Sequence, residues 1–225
     1  MLSLKNVRLA AMAPSTPSIS WEMEMRGVHT VVAEDEAARR ELGAIVSALA
    51  EPTSREVRFM GHPLRNTTRE QWRMLGIEST LWREPWHRRL LDKVRPPTFL
   101  EKVSRAARGA SAAEIATGLD RFGIWNRQEV RIGRHPANTA QRCELAAMWV
   151  RHPKLMVLMN PFSGLDPALV RQLHLMLVEA WHLDGICSLI LEPDVPPLAP
   201  TFLHGDIFRL DDNGLQAVIP ADEAE

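Results

Sequence analysis

Two early stretches of the chain alternate apolar and polar residues: LSLKNVRLAA from Leu2 and SISWEMEM from Ser18. A period of two predicts antiparallel strands, and Pro14 and Pro17 punctuate the loop between them. HTVVA, residues 29–33, is a short apolar run suited to a central strand. The period then changes. In EDEAARRELGAIVSALA, residues Leu42, Ile45, Val46 and Leu49 fall on one face of a helix. Strand, tight connection and helix open a βαβ unit. SREVRFMGHPL (54–64) reads as a strand followed by a glycine turn. TREQWRMLGI reads as a short helix leading into a strand.

From Glu84 to about Arg131 no strand pattern stands out, and helical stretches such as PTFLEKVSRAAR and SAAEIATGLDRFG dominate. Ser111 followed by Glu114 forms a capping-box pattern. NTAQRCELAAMWVRHP (138–153) predicts a helix with Leu145, Met148 and Trp149 on one face, closed by Pro153. KLMVLM and ICSLILE are apolar nearly throughout, as strands buried on both faces of a parallel sheet require. Between them, DPALVRQLHLMLVEAWHLDG is a periodic helix ending at Gly185. GDIFRLDDNGLQAVI predicts a final hairpin turning at Asp212-Asn213-Gly214. The tail PADEAE is expected to fray.

Composition narrows the functional classes. A chain of 225 residues, 45% of them hydrophobic, fits one large domain or a domain with a sub-domain. The net charge of −1 gives no pull toward nucleic acid or anionic membrane. Cys143 and Cys187 sit in apolar surroundings and read as buried free thiols, which suits a reducing compartment. The first twenty residues are too interrupted for a signal peptide, and no segment approaches the ~18 apolar residues of a spanning helix. Membrane association is therefore expected to run through a partner. The eight histidines show no spacing of metal ligands, so no metal site is expected.

The order of elements now points to a family. HPKLMVLMNPFSGLDP (152–167) resembles the Walker B strand and D-loop of the nucleotide-binding subunits of ABC transporters. AQRCELAAMWVRHP is similar to the helix that follows their signature sequence, with Gln141, Arg142 and Pro153 at the expected spacing. The resemblance covers essentially the whole chain. It implies an α/β, P-loop-NTPase-like ABC ATPase fold over residues 1–225. That fold has a mostly parallel core sheet, an antiparallel β region and a helical sub-domain inserted at about 84–137. It also implies a D-loop dimer contact through Ser163, Gly164, Leu165 and Asp166.

The resemblance stops where chemistry is expected. A P-loop carries glycines that wrap phosphates, a Lys and a metal-binding hydroxyl. The matching positions after HTVVA are Ala33, Ala38, Arg39 and Arg40, with Glu34, Asp35 and Glu36 between. At ~5 Å and an effective dielectric of about 20, each such carboxylate opposes a phosphate charge by about 3 kcal/mol. Those acids suit a solvated helix N-terminus instead. The Walker B carboxylates are Met159, which cannot hold Mg²⁺, and Asn160, an amide that is no general base. Asn160 reads as turn geometry. The signature matches His135, Pro136, Ala137, Asn138 and Thr139, and the switch His is Pro193. The Gln of the Q-loop is expected around Glu78 or Ser79.

These losses, beside an intact apolar core, lead us to expect a pseudo-ATPase with no cofactor and a structural or regulatory role. Its expected partners are a multi-span permease subunit and a second ABC ATPase subunit, as homo- or heterodimer, with no nucleic acid. It would lie in the cytoplasm, peripheral on the inner face of the cell membrane. WREPWHRRLLDKVR (82–95) reads as a partner-facing surface, with Trp82 and Trp86 spaced to anchor a permease. One alternative is a slow ATPase that binds ATP and Mg²⁺ weakly, with Arg39 in place of the Lys and Asp166 or Glu192 on the metal. Another is a soluble protein-binding scaffold.

Overall fold

A computed structural model describes residues 1–51, 56–64, 68–81, 92, 95–107, 109–132, 137–196 and 205–219. In chain order the elements are β1 (Leu2–Val7), β2 (Ile19–Met23), β3 (Val28–Val32), α1 (Glu36–Val46), β4 (Glu56–Phe59) and β5 (His62–Pro63). Then come α2 (Arg69–Leu75), β6 (Ile77–Ser79), α3 (Phe99–Ala106), α4 (Ala112–Arg121) and α5 (Ala137–Trp149). The chain continues through β7 (Leu155–Met159), α6 (Pro167–Asp184), β8 (Cys187–Glu192), β9 (Ile207–Asp211) and β10 (Gly214–Ile219).

Two sheets form. The smaller is antiparallel, in the order β2-β1-β4-β5. The larger runs β10-β9-β3-β8-β7-β6 and is parallel from β9 to β6, with β10 antiparallel at its edge. Patterning explains the division. β2 alternates buried and exposed residues, whereas every residue of β3 and β8 is buried. Only strands covered on both faces tolerate a continuous apolar run.

Each face of the large sheet has its own core. Leu155 and Val157 of β7 join Leu4, Trp21, Leu42, Phe59 and Trp72 on one side. Met156 and Leu158 join Phe99, Leu119, Leu145 and Leu177 on the other. Successive strand residues point to opposite faces, so one strand serves both cores.

The capping box at Ser111 and Glu114 is present, and matching boxes open α2 at Thr68 and α3 at Thr98. The predicted α1 face is corrected at its end. The helix stops at Val46, Ala48 takes a φ of 52° and turns the chain, and Leu49 is left 48% exposed. The helix predicted over 138–153 likewise ends at Trp149, ahead of Pro153. Residues 220–225 and part of the expected 84–137 insertion lie outside the described residues. No helix among the described residues is long and apolar enough to cross a membrane.

Candidate functional site

β3, β8 and β7 are adjacent and parallel, so their C-terminal ends form one crest, the usual place for a ligand on an open α/β sheet. The ends are tied together by backbone bonds. Ala33 N donates to Glu192 O at 2.9 Å, and Asn160 N donates to Leu191 O at 2.9 Å.

The loop from β3 to α1 closes on Asp35. Its Oδ1 accepts from Ala37 N at 2.7 Å and Ala38 N at 3.3 Å, capping the helix. A short acidic side chain is favoured there because it answers the unpaired N–H groups and the positive end of the helix dipole. Those same N–H groups are the ones that would receive a phosphate. Glu34, Asp35 and Glu36 are all exposed around them.

Arg39 and Arg40 part company. Arg40 is exposed and pairs with Glu36 at 2.6 Å. Arg39 is 5% exposed and folds back beneath the loop. One terminal nitrogen donates to Ala33 O and, at 3.4 Å, to Glu34 O. Its Nε donates to Asn160 Oδ1 at 3.1 Å. The guanidinium is thus ringed by neutral oxygens from two places, the loop between β3 and α1 and the residue that follows β7. Burial of Arg39 was missed from the sequence, yet the signal was present: residues 39, 42 and 46 follow the apolar spacing of α1.

On β7, the Met159 side chain packs against α1. A Cβ at Gly43 would lie 3.2 Å from Met159 Cε and 2.7 Å from Leu191 Cδ1, so the helix approaches the sheet through the space that glycine leaves. Met159 N donates to Thr80 Oγ1 at 2.9 Å. Asn160 takes a φ of 48°, in the left-handed region that Asn tolerates better than most residues. It begins the turn that follows β7, and its Oδ1 accepts from Arg39.

Glu192 is 5% exposed, and its Oε1 accepts from Phe162 N at 2.8 Å. Burial pushes its carboxyl up to about 7, against the opposing pull of the Phe162 N–H and the Arg39 charge. Asp166 caps α6, accepting from Leu169 N at 3.0 Å. Both carboxylates considered for a metal are therefore engaged with backbone N–H groups. Among the described residues no three His, Cys, Asp or Glu side chains converge as a metal site.

The remaining positions scatter. Ser163 and Gly164 are exposed on the turn between β7 and α6, where Gly164 has a φ of 73°, and Leu165 is half-buried. Pro193 is half-buried directly after β8. Ala137 and Asn138 open α5, and Thr139 is buried. His135, Pro136, Trp82 and Trp86 lie outside the described residues. The Q-loop expectation is corrected: Glu78 and Ser79 lie inside β6, and Thr80 is the residue that follows it. Glu78 is bound by Arg151 at 2.7 Å and Arg73 at 3.2 Å, and Ser79 Oγ lies 2.7 Å from Ser47 Oγ.

No protein-family profile matches the chain. The lipoprotein-releasing system ATP-binding protein LolD of Myxococcus xanthus is 31% identical over 101 residues, covering 45% of this chain and 44% of that protein. The aliphatic sulfonates import ATP-binding protein SsuB 1 of Pseudomonas fluorescens is 32% identical over 94 residues, covering 41% and 36%. The chain thus spans less than half the length of these two relatives. The taurine import ATP-binding protein TauB of Pseudomonas putida is 25% identical over 81% of this chain and 69% of its own. Among solved structures, an ATP-binding cassette of an ABC transporter in its ADP conformation superposes with a TM-score of 0.82 at 14% identity, covering 100% of this chain and 92% of that one. cbiO1 from Clostridium perfringens, part of the ABC transporter complex cbiONQ, gives 0.76 at 16%, covering 97% and 86%. The fold is that of an ABC ATPase cassette, and these relatives in sequence are named as ATP-binding proteins of lipoprotein-releasing, sulfonate-import and taurine-import systems.

Proposed function

We propose that this chain, built on the ABC ATPase cassette fold, serves a membrane transporter as a structural or regulatory subunit whose nucleotide site is filled by its own side chains. The observation that carries this reading is the double occupation of the crest. Asp35 holds the N–H groups of α1. Arg39 is satisfied by Ala33 O, Glu34 O and Asn160 Oδ1. An incoming phosphate would have to displace a carboxylate from the first and break the hydrogen bonds of the second. It would also meet Met159 and Asn160 where a metal ligand and a base are needed.

The assignment of partners rests on relatives. The neighbouring structure cbiO1 is part of a transporter complex, and cassettes with the same fold have been solved as dimers. By analogy this chain would join a permease and a second cassette, placing it on the inner face of the cell membrane. A helical sub-domain at about 84–137 and a partner contact through Ser163, Gly164, Leu165 and Asp166 belong to the same reading.

Calorimetric titration of the full chain with Mg-ATP tests it. The expected result is no binding in the micromolar range and no phosphate release above buffer. Micromolar binding would instead favour a working, slow ATPase, in line with relatives named as ATP-binding proteins.

A further inference from the structure

Arg39 does more than fill a space, because its partners belong to two different loops. Ala33 and Glu34 lie on the connection from β3 to α1, whereas Asn160 opens the turn from β7 to α6. Sequence separation between Arg39 and Asn160 is 121 residues, so the contact is wholly tertiary. The same turn is gripped from a third element. Glu192, at the end of β8, accepts from Phe162 N, and Asn160 N donates to Leu191 O. Within the turn, Ser163 N donates to Asn160 O at 3.2 Å and Leu165 N to Phe162 O at 3.1 Å. Asn160 is the pivot of all this, held at a positive φ.

We propose that Arg39 is an internal staple that fixes the β7–α6 turn against the β3–α1 loop without any ligand. It rests on the reading of the crest as self-occupied. In a site that opens and closes around a ligand, the two loops are joined by the ligand. Here a guanidinium on α1 joins them permanently, so Ser163, Gly164 and Leu165 are presented in one arrangement. A guanidinium suits the task because its donors form a rigid planar fork that reaches several oxygens at once, whereas a lysine ammonium is a single point. The bonds are also charge-assisted on the donor side, which makes them stronger than neutral ones.

Amide hydrogen exchange on the full chain at one pH tests the staple. Arg39→Met is expected to raise exchange at Phe162, Ser163 and Leu165 about tenfold, the loss of hydrogen bonds to a charged group. Amides of β1, β2 and β4 should stay as in the wild type. Asn160→Gly keeps the positive φ while deleting the acceptor, and should raise the same amides. Asn160→Asp restores an acceptor and should keep them protected. At these turn amides the double variant Arg39→Met/Asn160→Gly should not exceed Arg39→Met alone, since both changes delete the same Arg39–Asn160 bond. If Arg39→Met does not fold, the Asn160 pair decides alone. Turn amides as protected in Asn160→Gly as in the wild type would overturn the staple. So would equal loosening by Asn160→Gly and Asn160→Asp. The calorimetry above fails separately: Mg-ATP binding with turn amides that respond as described would sink the proposed function and leave the staple standing. Absence of binding with unresponsive amides would do the reverse.

Discussion

Arg151 and Arg39 both carry a positive charge into the protein, and the protein answers them differently. Arg151 meets a carboxylate: one terminal nitrogen lies 2.7 Å from both oxygens of Glu78, and Nε donates to Ala106 O at 2.6 Å. Arg73 approaches the same carboxylate from α2. Arg39 meets two carbonyls and an amide, and among the described residues no carboxylate lies within ion-pair distance of it. The nearby carboxyl of Glu192 is turned to Phe162 N instead. The first arrangement pairs charge where it stands and ties α2, β6, the end of α3 and the chain just after α5 together. The second satisfies hydrogen bonds and leaves the charge in place, at the position where the resemblance puts the phosphate-binding Lys. Hydrogen bonding and charge pairing are separate requirements: the Arg151 site meets both, and the Arg39 site meets only the first.

The contrast breaks most visibly at Glu78. Glu78→Ala would leave two arginines uncompensated at a largely buried site, and a loss of about 3 kcal/mol or more is expected in denaturant unfolding. A loss below about 1 kcal/mol is what an exposed pair gives, and it would erase the distinction between the two sites.

Titration gives a second, smaller test. The folded-state pKa of Glu192, about 7, stands above its ordinary 4.5, so its contribution to stability is fully present below about pH 4.5 and is lost as pH rises through about 7. His29 behaves oppositely. Burial lowers its pKa from 6.5, against the pull of Asp206, so its contribution is present above that value and lost as pH falls. In Glu192→Gln the decline on the rising-pH side should vanish while the acid-side loss remains. Unfolding free energy measured from pH 4 to 8 reads both. An unchanged profile would mean the Glu192 carboxyl is hydrated, and not held in the turn.

The smallest expected effect is at the cap. Asp35→Ala should cost about 1 kcal/mol, the usual value for an N-cap, with the Arg39 contacts intact. A thermal midpoint unmoved by the change would show that the two N–H bonds of Asp35 add nothing, and that Arg39 alone organises the loop.

Much of the scaffold was legible in the sequence. Period-two alternation marked β1 and β2, apolar runs marked β3, β7 and β8, and Ser111 with Glu114 marked the start of α4, because these signals are local. Boundaries were less legible. Leu49 continued the helical spacing, but the chain turns at Ala48 before reaching it. The departures from a P-loop and Walker B pattern at Ala33, Ala38, Arg39, Arg40, Met159 and Asn160 were legible as an expectation, since such a pattern is read from residue types at set spacings.

What fills the crest was decided only by the tertiary structure. Nothing in the spacing of Arg39 and Asn160 brings them together. They meet because β3 and β7 both flank β8 in a parallel sheet whose C-terminal ends coincide. The sequence by itself determined that Met159 and Asn160 end the apolar run of β7 and that no glycine lies between Ala33 and Arg40. Whether such a crest stands open or is closed by its own side chains depends on where a guanidinium on α1 finds oxygens. That is a matter of packing between elements distant in the chain.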